Sequence, residues 1–189
     1  MTAAGKRVAI IGSAGSGKTT LARRLSEVLG VPVVELDAIN WQAGWRSLYA
    51  DDPAEFGRRV DEAIAGDGWV TDGNYRKALS RILRRATDLV CLDFDRQVVM
   101  SRVVRRSLAR AWDKRELWPG TGNREMFVKW LDREHPIRWA WDTFAPRRAH
   151  YDLLAADARL THVIQHRLRH PRETPALIDR LLREADSQS

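Results

Sequence analysis

The plainest chemical capacity lies in Gly12-Ser13-Ala14-Gly15-Ser16-Gly17-Lys18-Thr19, directly after the apolar run Val8 to Ile11. The stretch fits G-x-x-x-x-G-K-[ST] at every fixed position, with strand character before it and helix character after it. Gly12, Gly15 and Gly17 allow backbone angles that other residues resist, so successive N–H groups can point inward at phosphate oxygens. The N-terminus of the following helix adds the positive end of its dipole. Lys18 reaches the terminal phosphates, and Thr19 offers a hydroxyl to a magnesium ion. The expected nucleotide-binding residues are therefore Gly12, Ser13, Ala14, Gly15, Ser16, Gly17, Lys18, Thr19 and Thr20, with ATP as substrate and Mg2+ as cofactor. A triphosphate loop alone serves kinases, GTPases, motors and remodellers. No guanine-reading signature of the T/NKxD type is present, so the acceptor side must decide.

Three carboxylates end apolar runs: Asp37 after Val33 to Leu36, Asp72 after Trp69 to Thr71, and Asp93 after Leu89 to Leu92. A carboxylate at the carboxyl edge of a parallel strand faces the crevice where ligands bind. Asp37 can orient an acceptor hydroxyl, take its proton or touch a magnesium water; it can equally cap a helix or form a turn. Glu35, two residues earlier, shares its strand face. Arg102 and Arg106 are four apart, so on a helix their guanidiniums converge on one site. Trp41 and Trp45 either stack on a ring or plug the core from a loop. His162, His166 and His170 recur every four residues, but their segment reads as strand. Four strand residues span about 13 Å, too wide for one ion.

The elements that must position these groups alternate. Strands are expected at Arg7 to Ile11, Val33 to Leu36, Trp69 to Thr71, Leu89 to Asp93 and Leu160 to Gln165. Helices are expected at Lys18 to Leu29, Pro53 to Ala65 (capped by Asp51 or Asp52), Tyr75 to Ala86, Arg96 to Ala111, Arg124 to Glu134, Ile137 to Leu154 and Pro175 to Ala185. This order predicts an α/β fold, a five-stranded parallel sheet with helices on both faces. The segment KRELWPGTGN breaks the pattern and reads as an excursion. The chain of 189 residues is 44% apolar, which suits one compact domain spanning residues 1–189. Its formal charge of +7 fits either nucleic acid or a pocket for several phosphates. The lone Cys91, inside an apolar run, is expected to be a buried core thiol. The absence of a leader or of a long apolar run predicts a cytoplasmic protein with no membrane partner.

The stretch WVTDGNYR, Trp69 to Arg76, resembles the Asp-Gly-Phe-Pro-Arg segment of adenylate kinases, with Asn74 and Tyr75 in place of Phe-Pro. LDFDRQVVMSRVVRR, Leu92 to Arg106, resembles the segment that leads into their lid. With LDAINWQAGW and HRLRHPRE in order, the chain is similar to the adenylate-kinase-related P-loop kinase family, closest to the small proteins labelled DNA topology modulation proteins. The resemblance implies a nucleoside-monophosphate-kinase-like fold with a helical lid insertion at 112–135. It implies that Asp72 joins Thr19 at the magnesium, that Arg76 holds the acceptor with Asp37, and that Lys18, Arg102 and Arg106 are catalytic. It leaves Asp93 as a structural acid and lets the ATP base lie near Arg167 to His170. Lid arginines would be Arg124, Arg138, Arg147 or Arg148. The expected activity is phosphoryl transfer from ATP to a small acceptor, a nucleoside monophosphate or a related phosphate-bearing molecule, by a monomer. A non-nucleotide hydroxyl stays open as acceptor. The alternatives are a nucleic-acid-binding ATPase that alters DNA topology and a nucleotide-sensing regulator, although no DNA-reading motif is present.

Overall fold

A computed structural model describes residues 5–113, 116–124 and 136–187. Its central sheet is parallel, with strand order β2-β5-β1-β6-β7. The strands are β1 (Arg7–Gly12), β2 (Val33–Glu35), β5 (Trp69–Asp72), β6 (Asp88–Leu92) and β7 (Ile164–Leu168). They are nearly continuous apolar runs because helices cover both faces. On one face Val8, Ile10, Val70 and Val90 meet Leu21 and Leu25 of α1 (Lys18–Leu29), Val99 and Val103 of α6 (Arg96–Asp113) and Leu177 and Leu181 of α8 (Thr174–Asp186). On the other face Ala9, Ile11 and Leu89 meet Phe56 and Val60 of α4 (Pro53–Ala63), Leu79 and Ile82 of α5 (Arg76–Leu83) and Tyr151 and Leu154 of α7 (Pro136–Ala155). Cys91 is buried in that second layer, and burial pushes its thiol up to about 12.

Chain connections diverge at the carboxyl end of β1. The chain runs next to β2 and β5 on one side and later to β6 and β7 on the other, and ligand crevices form at such a point. The caps follow the sequence signals. Asp52 accepts from the Glu55 N–H at 3.0 Å with Pro53 in the first turn of α4, and Gly30 ends α1 with φ +66°.

Three expectations shift. Leu36 does not end a strand; it starts a short helix, α2 (Leu36–Asn40), that carries Asp37. The stretch with Trp41 and Trp45 is a small antiparallel hairpin, β3 (Trp41–Gln42) with β4 (Arg46–Ser47), followed by α3 (Leu48–Asp51). The last strand is Ile164–Leu168, not Leu160 to Gln165, because pairing with β6 sets its register from Asp88↔Ile164 to Leu92↔Leu168. Apolar Leu160 and Val163 belong instead to a turn that packs under the core. The expected helix Arg124 to Glu134, apart from Arg124 itself, and most of the expected lid excursion lie outside the described residues.

Candidate active site

The phosphate loop is shaped by two left-handed glycines, Gly15 at φ +80° and Gly17 at φ +96°. A side chain at Gly15 would collide with Val103 and crowd the Val99 carbonyl of α6, so the loop and this helix touch. That contact brings Arg102 to the loop, where its guanidinium donates to the Ser16 carbonyl at 3.2 Å. The Ser16 hydroxyl is buried without a hydrogen-bond partner among the described residues. A bound phosphate oxygen would supply one, and inward-facing backbone of this shape is an anion nest. Ser13 is buried, Ala14 half-buried and Thr20 exposed on the outer side of α1.

Five charged groups converge at the end of the loop. The half-buried Lys18 donates to the Ser13 carbonyl at 3.3 Å. Burial pulls its ammonium below the ordinary lysine range. Asp72 and Asp37 oppose that shift, and Arg147 and Arg106 reinforce it. Asp72 is buried, and burial raises its carboxyl despite Lys18 and the Thr19 hydroxyl that donates to it at 2.5 Å. The sequence-predicted residues Lys18, Thr19, Asp37, Asp72 and Arg106 therefore lie together.

The Thr19–Asp72 pair suits magnesium, a hard cation that takes few protein oxygens and keeps waters and substrate phosphates. No group of three or more His, Cys, Asp or Glu that could hold a metal occurs among the described residues.

Beside the loop lies a second set of contacts, made in part by residues whose meaning the sequence did not disclose. Asn74 brackets the start of the loop: its amide donates to the Gly12 carbonyl at 2.7 Å, and its oxygen accepts from the Gly12 N–H at 3.1 Å. The Tyr75 hydroxyl donates to Asp37 at 2.6 Å. Burial, then Asp37, raises this phenol well above its usual range. Arg147 of α7 donates to the Gly12 carbonyl at 3.2 Å and to the Thr143 hydroxyl at 3.1 Å. Beside these contacts lies a cleft of about 200 Å³ lined by Ile11, Asn74, Arg76, Thr143, Arg147 and His150, among others. A second depression of about 420 Å³ lies between Ala155 and Gln165, at the start of β7 and thus at the opposite edge of the sheet.

The remaining candidates fall outside this constellation. Glu35 pairs with Arg23 at 2.9 Å. Asp93 is buried and gathers Arg148 at 3.0 Å, Arg167 at 2.7 Å and Arg169, so it is a structural acid. Of the four candidate lid arginines only Arg147 reaches the loop; Arg138 pairs with Asp142 on the surface, Arg148 turns to Asp93, and the exposed Arg124 bridges to Glu116 through the backbone. Trp41 and Trp45 pack on each other and on Trp118 in a small aromatic cluster away from the loop. The three histidines diverge: His162 bonds the Leu83 carbonyl, His166 bonds Asp88, and His170 caps the turn Pro171–Glu173.

No family model matches the chain. Its sequence is similar to the shikimate kinase of Mycobacterium ulcerans, 34% identical over 39% of this chain and 48% of the relative. It is also similar to the cytidylate kinase of Nitratidesulfovibrio vulgaris, 43% identical over 34% of this chain and 25% of the relative. The chain thus spans about half the length of the first relative and a quarter of the second. A solved shikimate kinase from Acinetobacter baumannii, in complex with shikimate, superposes with a TM-score of 0.57 at 16% identity, covering 98% of this chain and 95% of that one. A gluconokinase from Sinorhizobium meliloti gives 0.51 at 18% identity, covering 100% and 99%. The fold is that of the P-loop α/β kinases. The sequence relatives are kinases of small molecules, and neither carries a DNA-topology description. No helix among the described residues is long and apolar enough to cross a membrane.

Proposed function

We propose that the chain is an ATP-dependent small-molecule kinase. It passes the γ-phosphoryl group to an acceptor that carries an anionic group, a nucleoside monophosphate or another phosphate-bearing molecule. One observation carries this reading. The residue that opens the phosphate loop, Gly12, is bonded to Asn74 and Arg147, two residues that line the cationic cleft. A nucleotide on the loop and an anion in the cleft would be neighbours. The small cleft favours a compact acceptor.

In this reading the acceptor oxygen attacks the γ-phosphorus, the new O–P bond forms as the bridging β–γ bond breaks, and the electron pair leaves with ADP. Where that oxygen is a hydroxyl, its proton passes to Asp37, which Tyr75 holds in place. Lys18, Arg102 and Arg106 neutralise charge on the moving group; such transfer is mostly positioning and charge stabilisation. Thr19 and Asp72 would hold magnesium, which would supply charge neutralisation to the transferring phosphates. Arg76 holds the acceptor's anion. The excursion 112–135 acts as a lid that excludes water.

The test is ADP release from Mg·ATP across nucleoside monophosphates, small hydroxy acids, sugars and duplex DNA, with Lys18→Ala as control. Stimulation by one small acceptor, with a phosphorylated product, is the expected result. Stimulation by DNA alone overturns the reading and restores the DNA-topology alternative.

A further inference from the structure

The arginines of the acceptor cleft lack the carboxylate partners that several other arginines of the molecule have. Arg148 and Arg167 both meet Asp93, and Arg58, Arg59 and Arg81 meet carboxylates on the surface. In the cleft, Arg76 from α5 and Arg147 and His150 from α7 line one small space, and none of the lining residues is a carboxylate. Arg76 and Arg147 make no ion pair among the described residues. Arg147 is spent on two neutral acceptors, the Gly12 carbonyl and the Thr143 hydroxyl. Thr143, Arg147 and His150 follow one another at four and three residues, so they form a single face of α7. Tyr151, the other titratable lining group, lies beside Arg147 and Ser13.

We propose that His150 is an acceptor-binding residue. With Arg76 it forms a wall for a doubly charged oxyanion, and it takes up a proton as that anion binds. The proposal rests on the kinase reading only for the anion's identity as the acceptor's phosphate.

Burial, then Arg76 and Arg147, holds the His150 imidazole below its ordinary range in the free protein. Without an anion, a third positive charge in the cleft meets two like charges and poor solvation. A dianion offsets the two guanidiniums and makes the third charge favourable. Neutral His150 offers one N–H donor, and protonated His150 offers two. An anion raises the imidazole pKa, so binding takes up a proton and tightens as pH falls from 8 towards 6. A carboxylate carries one charge and two permanent cations already exceed it, so the geometry favours a phosphate-type group.

The probes are sulfate and acetate, whose charges stay constant between pH 6 and 8. The protein is first saturated with magnesium and a non-hydrolysable ATP analogue, so that the phosphate loop is filled. Sulfate is then titrated at constant ionic strength while the histidine ring resonances are followed by NMR; the His150 signal is the one missing in His150→Gln. The expected result has three parts. Sulfate raises the His150 midpoint by about one pH unit, it binds about three- to fivefold tighter at pH 6 than at pH 8, and it binds tighter than acetate. His150→Gln keeps binding through Arg76 but loses the pH dependence, and Arg76→Gln weakens binding at both pH values. An unmoved His150 resonance, the same pH dependence in His150→Gln, or acetate binding as tightly as sulfate overturns the proposal. Where His150→Gln fails to fold, the His150 ring is assigned by through-bond NMR on the unmutated protein, so the resonance shift still decides the proposal. The ADP-release panel is separate: sulfate binding without turnover sinks the kinase reading alone, and turnover without a His150 shift sinks this one alone.

Discussion

Two buried charge clusters sit at opposite edges of the same sheet. At the amino edge, Lys6 contacts Asp88 at 3.2 Å and Glu184 at 2.7 Å. His166 bonds the other Asp88 oxygen at 2.9 Å, and the Thr87 hydroxyl donates at 2.7 Å. Every group there meets a partner within the chain. At the carboxyl edge, Lys18, Arg106 and Arg147 crowd around Asp72 and Asp37, with Arg102 on the Ser16 carbonyl of the loop and Arg76 and His150 lining the cleft beside them. Cations exceed carboxylates, and the buried Ser16 hydroxyl lacks a partner among the described residues. A cluster that closes on itself serves the fold. A cluster that leaves charge over serves something that comes and goes, and the excess matches a multiply charged phosphate ligand.

This difference is best broken by removing one lysine from each edge. Lys18→Ala should lower ADP formation on the order of 10³-fold while the melting temperature moves by no more than about 3 °C. Its ammonium is already held below its ordinary range by burial, so its loss removes a poorly solvated charge. Lys6→Met should do the reverse. It leaves Asp88 buried without its cation, which costs about 3–5 kcal/mol in urea unfolding, yet turnover per folded molecule stays at the wild-type value. Equal stability losses in the two variants would erase the distinction. Arg106→Ala belongs with Lys18→Ala, with a loss on the order of 10³-fold in turnover, and a near-normal rate would remove it from the catalytic set.

The amino-edge cluster also predicts a pH signature. Burial alone would raise the Asp88 carboxyl, but bonds from His166, Thr87 and Lys6 outweigh it and hold the folded value below the ordinary 3.8. A depressed carboxylate contributes stability that is fully present above its unfolded pKa and is lost as pH falls towards the folded value. Urea midpoints of the wild type should therefore drop below about pH 4, and Asp88→Asn should be less stable at pH 7 with a shallower fall. A slope unchanged in Asp88→Asn would mean that other carboxylates carry acid denaturation.

How much of this could be read beforehand depends on how local each signal is. The phosphate loop is contiguous, so its type, context and edge position were all legible. The sheet was legible because strands covered on both faces are unbroken apolar runs. Arg147 was named only as one of four lid candidates, because a helix pattern fixes its face and not its partner, here Gly12 at 135 positions' separation. His150 and Thr143 carry no local motif and become a site only through packing. The Asn74–Tyr75 pair read as a departure from a family segment. In the fold Asn74 clamps the loop and Tyr75 holds Asp37, two roles that Phe and Pro side chains cannot fill. The final strand was misplaced by four residues because His166, paired with Asp88, hid a buried strand position behind a polar residue type.

A smaller contrast lies within the acceptor side. Asp37 depends on one hydrogen bond from Tyr75. The phenol's raised pKa keeps it protonated across the working range, so no pH step should come from it. Tyr75→Phe should lower kcat/KM about tenfold, the effect of one hydrogen bond to a charged group, while stability shifts by about 1 kcal/mol or less. A loss matching Lys18→Ala would mean that Tyr75 itself touches the reacting atoms.

The smallest expected effect tests how firmly the β3–β4 hairpin is tied to the segment that follows α6. Asn123 is buried; its oxygen accepts from the Trp45 N–H at 2.9 Å, and its amide donates to the Gln42 carbonyl at 2.9 Å. Trp118 stacks on Trp41 with centroids 6.0 Å apart and meets Trp45 edge-on at 5.9 Å. Trp45 sits at φ +62°, a left-handed conformation that costs a bulky residue about 1–3 kcal/mol. Glycine there would relieve most of that cost but give up two aromatic contacts worth about 0.5–1.5 kcal/mol each. The two terms nearly cancel, so Trp45→Gly should change stability by less than about 1 kcal/mol. Trp118→Ala loses two contacts with no strain to relieve and should cost about 2 kcal/mol. If Trp45→Gly proves the more damaging of the two, the left-handed turn is not strained, and the hairpin is held by Trp45 rather than by Asn123 and Trp118.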